Sequence, residues 1–186
     1  MRKFLFAALC AGAATLWMAS AMQSASAQQS AGAQQAPATV ASTVDRDISA
    51  VEKQIIDAAE AMPEDKFNFT PETLNILGSE YKGVRSFAVQ VKHIAASNWF
   101  IWSALTGDKL PEGLNDGNGP ANLRSKPEII KFLKDSFALG HRAAATLTSE
   151  NMLQTLRNGQ TTRLSGPRLG WRTLTIITDR WWSICG

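Results

Sequence analysis

His93 and His141 are the only two imidazoles in the 186 residues. Neutral imidazole is a common ligand for zinc, nickel and iron, but one histidine makes no site, since catalytic zinc takes three protein ligands and keeps one position open. His93 lies in VRSFAVQVKHIAASNWFIWSALT, off the main apolar stripe of that segment. Two readings stay open for it: an exposed or locally hydrogen-bonded imidazole, or a metal ligand at the mouth of a helical bundle. His141, directly after Gly140, has the same two readings, and the exposed or locally hydrogen-bonded one is favoured. No H-E-x-x-H, C-x-x-C, phosphate-loop or G-x-S-x-G pattern occurs. No histidine stands at a spacing that suggests a triad. The carboxylates fall between apolar helical positions, as on a solvated face, so no acid/base pair stands out and no catalytic residue is assigned. Trp99 and Trp102 read as packing rather than as a ligand cage. The stretch DKLPEGLNDGNGPANLR, residues 108–124, carries several oxygen donors near glycines. It lacks the spacing and terminal glutamate of a calcium loop, so it reads as a plain connection.

The elements that must position these residues are helical. From about Thr43 to Met62, the residues Val44, Ile48, Val51, Ile55, Ala58 and Met62 recur at helical spacing and mark one buried stripe, closed by Pro63. Glu64 to Gly83 reads as a long loop with one short turn. A second helix spans about Val84 to Thr106, with Val84, Phe87, Val91, Ile94, Asn98, Ile101 and Leu105 at heptad-like spacing. Other apolar residues cover much of its remaining circumference, so it reads as a central helix with more than one neighbour. Gly107 ends it. A third helix opens with the capping box Ser125-Lys126-Pro127-Glu128. It carries Ile129, Leu133, Phe137, Ala144 and Leu147 inward as far as about Thr148. A bundle needs a fourth helix over the groove left by three, and only the sequence from Thr161 onward is left to supply it.

The first 27 residues have the build of a bacterial-type signal peptide. Arg2 and Lys3 precede an apolar stretch from about Phe4 to Met18, and Ala25-Ser26-Ala27 fits a signal-peptidase site. The expected product is exported, periplasmic or secreted, and without a stable membrane anchor after cleavage. Of the 19 basic residues Arg2 and Lys3 lie in that leader, which leaves 17 against 16 acidic. A balance so near neutrality offers no concentrated basic face for nucleic acid. Cys185 is the one cysteine beyond the leader, so no internal disulfide is available. Residues 28–41, QQSAGAQQAPATVA, nearly lack large apolar side chains and read as a flexible low-complexity linker.

The segments RSFAVQVKHIAASNWFIWSAL and KPEIIKFLKDSFALGHRAAATLTSENM resemble the DinB-like superfamily, related to the bacillithiol transferases, over about Val44 to Asn158. The pattern V-x-H-I-A-x-x-N around His93 is the most specific part. The resemblance implies an all-α four-helix bundle with its helical domain at residues 42–160. It also implies a divalent metal (zinc, nickel or iron) held by three histidines. One would be His93. The other two come in relatives from an H-x-x-x-H pair in the fourth helix, inside a D-H-Y-G run, and no histidine follows His141 here.

Residues 161–186 therefore read as a degenerate fourth helix. They hold Pro167, internal glycines and a β-branched TLTII run, all poor helix material. Read one nucleotide earlier, codons for Trp171 to Gly186 can spell V-A-H-A-N-D-H-Y-G-P-M-V-E-Y-L-R. Several positions merely permit this, but the V-E-Y-L stretch replacing Trp182 to Cys185 is much more constrained, because Trp has a single codon and an AGY codon at Ser183 then gives Glu. The shifted frame puts histidines at positions 173 and 177, occupied here by Thr173 and Ile177, four apart on one helical face. A frameshift between Leu164 and Gly170 is expected. The chain as written is then a DinB-like domain with an incomplete metal site, without a stably bound ion, and with poor solubility. The alternative concerns the intact parent: a metal-dependent thiol transferase or hydrolase, inactive in this form. A small molecule or thiol is the implied ligand, and a homodimer is compatible with the pattern.

Overall fold

The computed structural model describes residues 37–114, 116–156, 159 and 161–166. Among these, three long helices carry the fold: α1 (Val40–Ala61), α2 (Phe87–Thr106) and α3 (Lys126–Ala145). No strand occurs among the described residues, only an isolated antiparallel bridge between Thr155 and Thr162. The chain is thus all-α over its described part. The expected signal peptide, most of the expected linker and positions 173 and 177 lie outside the described residues, among which three long helices, not four, are present.

Helix α1 starts earlier than the composition suggested. Thr39 is its N-cap: the Thr39 hydroxyl accepts from the Ser42 amide, and the Ser42 hydroxyl in turn accepts from the Thr39 amide. This reciprocal cap satisfies two donors that would otherwise be orphaned. Val40 and Ala41, expected in the linker, are helical for that reason. The buried stripe is Val44, Ile48, Ile55 and Ala59. Ala58, expected to face inward, is exposed, because the helix turns 100° per residue and the register settles on Ala59.

The N-terminus of α2 is supplied with acceptors from the preceding loop. Phe87 and Ala88 donate their amides to the carbonyls of Phe69 and Phe67, and Val89 donates to the Ser86 hydroxyl. The loop itself holds two 3-10 turns, Glu64–Lys66 and Pro71–Leu74, rather than one. Gly107 closes α2 in the left-handed region, with φ of 80°, where a side chain is disfavoured. The start of α3 is the expected capping box between Ser125 and Glu128.

Among the described residues, helix α3 packs extensively against both α1 and α2. The pairs that touch give the directions. Lys126 and Lys134 of α3 reach Glu60 near the end of α1, while His141 reaches Asp45 and Glu52 near its start, so these two helices are antiparallel. Asn98 meets Ser136, and Trp102 meets Gly140, so α2 and α3 run parallel. Parallel neighbours cannot be joined by a tight turn, and the chain must travel back the length of a helix. Residues 107–125 make that crossover, and this is why the connection is long.

The core fills the two seams. Ile48, Val91, Ile94, Ile129, Leu133, Phe137 and Leu139 are each at most 2 % exposed. The five positions expected to line α3, Ile129, Leu133, Phe137, Ala144 and Leu147, are all buried. Removing roughly 1.5–3 kcal/mol of transfer free energy per large aliphatic side chain from water supplies the main stabilising term. No described helix is long and apolar enough to cross a membrane.

Candidate functional site

The crossover returns along α2 and lies against His93. Three contacts pin it there. Arg85 Nε donates to Asn118 Oδ1 at 2.7 Å, Lys92 Nζ donates to the Pro120 carbonyl at 3.1 Å, and His93 Nδ1 lies 2.5 Å from the Gly117 carbonyl. Asp116 tightens the same turn by accepting from the Asn118 amide at 2.9 Å. These bonds to Asn118 hold the Asp116 carboxyl below its ordinary range. Approach is close enough that a Cβ on Gly119 would stand 3.0 Å from Lys92 Cβ, with φ at 73° besides, so this position suits only glycine.

A carbonyl oxygen can only accept, so the hydrogen between Gly117 and His93 belongs to Nδ1. The neutral ring then carries its lone pair on Nε2, which has no partner among the described residues. A backbone carbonyl on one imidazole nitrogen is the usual arrangement behind a metal-ligating histidine, where it fixes tautomer and ring orientation. His93 is half-buried, on a side of α2 where Phe100 is 45 % exposed and Ala104 is exposed too.

No group of three or more His, Cys, Asp or Glu able to hold a metal occurs among the described residues. His93 has no second ligand beside it there, so the described residues alone do not make up a three-ligand site.

His141 is placed quite differently from the expectation of a solvent-facing or locally bonded ring. Its Nδ1 lies 2.6 Å from Asp45 Oδ1 and its Nε2 lies 2.9 Å from Glu52 Oε2, so the imidazole bridges α3 to α1. The two carboxylates grip opposite ring nitrogens and therefore cannot converge with the ring on one ion. Partial burial opposes the charged imidazole, but the hydrogen bonds and charges of Asp45 and Glu52 outweigh it and raise the His141 pKa above its ordinary value. Asp45 and Glu52 stand seven residues apart, two turns along one face. That spacing was the available signal, but sequence alone does not say which helix α1 lies against.

The tryptophans pack. Trp99 stacks on Phe132 with ring centroids 6.5 Å apart and planes 18° from parallel, and Trp102 lies over Gly140. Neither forms a cage with the histidines.

Near the end of the described chain, Thr162 and Ser165 exchange amide-to-hydroxyl bonds at 3.1 and 2.7 Å, and the Gly166 amide donates to the Thr162 carbonyl. This is a third reciprocal cap among the described residues, made by two hydroxyls like that of α1, and it opens a helical turn. A Cβ on Gly166 would lie 3.6 Å from Leu105 Cδ1, so the turn begins beside the C-terminal end of α2.

The helical architecture and the crossover that braces the His93 imidazole define an α-helical domain of parallel and antiparallel packed helices. The family model of the DinB superfamily matches residues 47–178, and the chain belongs to that superfamily. The matched range includes both histidines and positions 173 and 177. No curated protein and no solved structure matches the chain.

Proposed function

We propose that this chain is an exported DinB-like domain built on a divalent-metal-binding plan, and that its metal site is incomplete as written. The observation that carries the reading is the hydrogen bond from His93 Nδ1 to the Gly117 carbonyl, which holds one imidazole ready to ligate through Nε2. The partner ligands would come from a fourth helix in the frame-corrected chain.

Register supports this placement. Gly166 lies level with Leu105, and a fourth helix of the frame-corrected chain, rising about 1.5 Å per residue antiparallel to α2 from that point, would bring position 177 level with Ile94 and position 173 level with Asn98. Histidines at those two positions would therefore come within a turn or so of His93. Thr173 and Ile177, which occupy those positions of the sequence as written, offer no imidazole. Thiol transfer or hydrolysis, if the parent performs it, belongs to the frame-corrected form. His141 is engaged by two carboxylates and is not free to act as a base in the described arrangement.

The nucleotide sequence from codon 164 to codon 186 tests the frame. A minus-one reading that does not spell H-x-x-x-H sinks the idea of a displaced fourth helix. Metal analysis of the purified proteins tests the site: the expectation is well under one ion per chain for the form as written and about one for the frame-corrected form. A tightly bound stoichiometric ion in the chain as written contradicts the reading. N-terminal sequencing of the protein recovered after export should begin at Gln28.

A further inference from the structure

The imidazole of His141 sits between two carboxylates that belong to a different helix, at 2.6 and 2.9 Å. A neutral imidazole has one N–H and one lone pair, so it can donate to only one of them; the other would face a lone pair. An imidazolium donates from both nitrogens. With both carboxylates ionised, the observed geometry is therefore satisfied in full only by the doubly protonated ring.

Position on α1 gives this a mechanical consequence. The C-terminal end of α1 is tied to α3 by ammonium groups: Lys126 Nζ donates to the carbonyls of Glu60 and Met62 at 2.9 and 2.6 Å, and Lys134 Nζ pairs with Glu60 at 2.6 Å. The first half of α1, up to just past its middle, is tied to α3 by His141, through Asp45 and Glu52. Ile48, between these two on the same face, is buried in the seam. One end of α1 is thus held by lysines and the other by an imidazole.

We propose that His141 is a protonation-gated latch: doubly protonated, it ties the N-terminal half of α1 to α3, and loss of one proton releases one of the two carboxylates and loosens that half of the helix. The groups facing the ring from α1 are Asp45 and Glu52, with Ser49 directed to the Asp45 carbonyl instead. On α3, neighbouring Arg142 is turned away to Asp108 at 3.2 Å. Asp45 and Glu52 are the charges that act on the ring, and they raise its pKa against the opposing effect of burial. A raised histidine pKa means that the latch contributes fully below the unfolded value of about 6.5. Its contribution is lost as pH rises through the higher folded value.

The test uses the full chain and two variants. Since there are two histidines, His141→Gln assigns both rings in a 15N-detected NMR titration. The expected His141 midpoint lies above about 6.5, with both nitrogens protonated at pH 6. Between pH 6 and pH 9 the wild-type melting temperature should fall by roughly 2–4 °C more than that of His141→Gln. Amide exchange corrected for intrinsic base catalysis should rise over the same interval in residues 40–52, and not in α2. Equal melting slopes, or a midpoint at or below the ordinary value, overturn the latch. If His141→Gln does not fold, Glu52→Gln keeps the proposal testable: it should lower the His141 midpoint, and an unchanged midpoint refutes the two-carboxylate grip.

Discussion

His93 and Gly117 stand 24 residues apart in sequence and are joined by a 2.5 Å hydrogen bond from ring Nδ1 to main-chain oxygen. The bond exists because α2 and α3 are parallel. Parallel helices force the chain to return along α2, and that return path carries the Gly117 carbonyl past the imidazole. An architectural requirement thus also sets the tautomer of the one histidine on the α2 surface. In the chain as written, ring 15N shifts at pH 8 should report the Nδ1–H form of His93 as the dominant neutral tautomer. Arg85→Ala removes the clip to Asn118 at 2.7 Å and should shift the tautomer balance toward the mixture of a free imidazole. A His93 spectrum unaffected by Arg85→Ala would show that Lys92 and Pro120 hold the crossover alone.

Much of this was legible in the sequence, for local reasons. The Ser125 capping box, the Gly107 stop and the α3 stripe from Ile129 to Leu147 follow from local chemistry or helical periodicity, and each stands where those predict. What was not legible depends on which helix lies beside which. The uniformly apolar α2 suggested a central helix, and among the described residues it is α3 that packs on two others; periodicity gives the width of a buried face and not the identity of its neighbours. The Asp45–His141–Glu52 bridge spans 96 residues at its widest pair, and nothing in residue spacing could pair those groups. The crossover read as a plain connection because its role is made by main-chain oxygens, which have no sequence signature.

Asn98 and Ser136 form the buried polar link between α2 and α3. Asn98 Nδ2 donates to Ser136 Oγ at 3.1 Å, and that hydroxyl donates onward to the Leu133 carbonyl at 2.7 Å. Both residues are at most 2 % exposed, so either truncation leaves a lost bond in a dry seam. Asn98→Ala and Ser136→Ala should each cost about 1–3 kcal/mol in urea unfolding. The double variant should cost less than the two single costs combined, by at least about 0.5 kcal/mol, since the second change removes a partner already lost. Strict additivity would mean that the pair is not coupled.

Acid should release the start of α3. Glu128 Oε2 accepts from the Ser125 hydroxyl at 2.7 Å and from the Ser125 amide at 3.1 Å. These bonds, the hydroxyl foremost, lower the Glu128 pKa. A depressed carboxylate pKa gives stability that is present above the unfolded value and lost as pH falls through the folded one. The melting temperature of Glu128→Gln should therefore lie below that of the wild type at pH 6, with the gap closing as the solution is taken below the ordinary glutamate range. A gap that stays constant down to pH 2 would mean that the cap does not depend on the carboxylate charge.

Gly140 decides how closely α2 and α3 approach. A Cβ built there would stand 2.9 Å from Trp102 Nε1 and 3.0 Å from Trp102 Cε2, both ring atoms of a residue that is 3 % exposed. A buried indole has little room to swing aside, so the clash must be relieved by separating the helices. Two effects of opposite sign compete in Gly140→Ala. Helix propensity favours alanine over glycine by about 1 kcal/mol, while overpacking a filled core costs typically about 1–3 kcal/mol. The rigid partner puts the overpacking cost toward the upper part of that range, so the net change should be destabilising, by about 1–2 kcal/mol. Trp102→Leu in the Gly140→Ala background separates the two effects. With the ring gone the alanine should keep only its propensity advantage, making the Gly140→Ala change neutral or stabilising there. Chemical denaturation of the four proteins in that cycle reads both numbers. A stabilised Gly140→Ala single variant would mean that α2 and α3 can shift apart at little cost, and that the Trp102–Gly140 contact does not set their spacing.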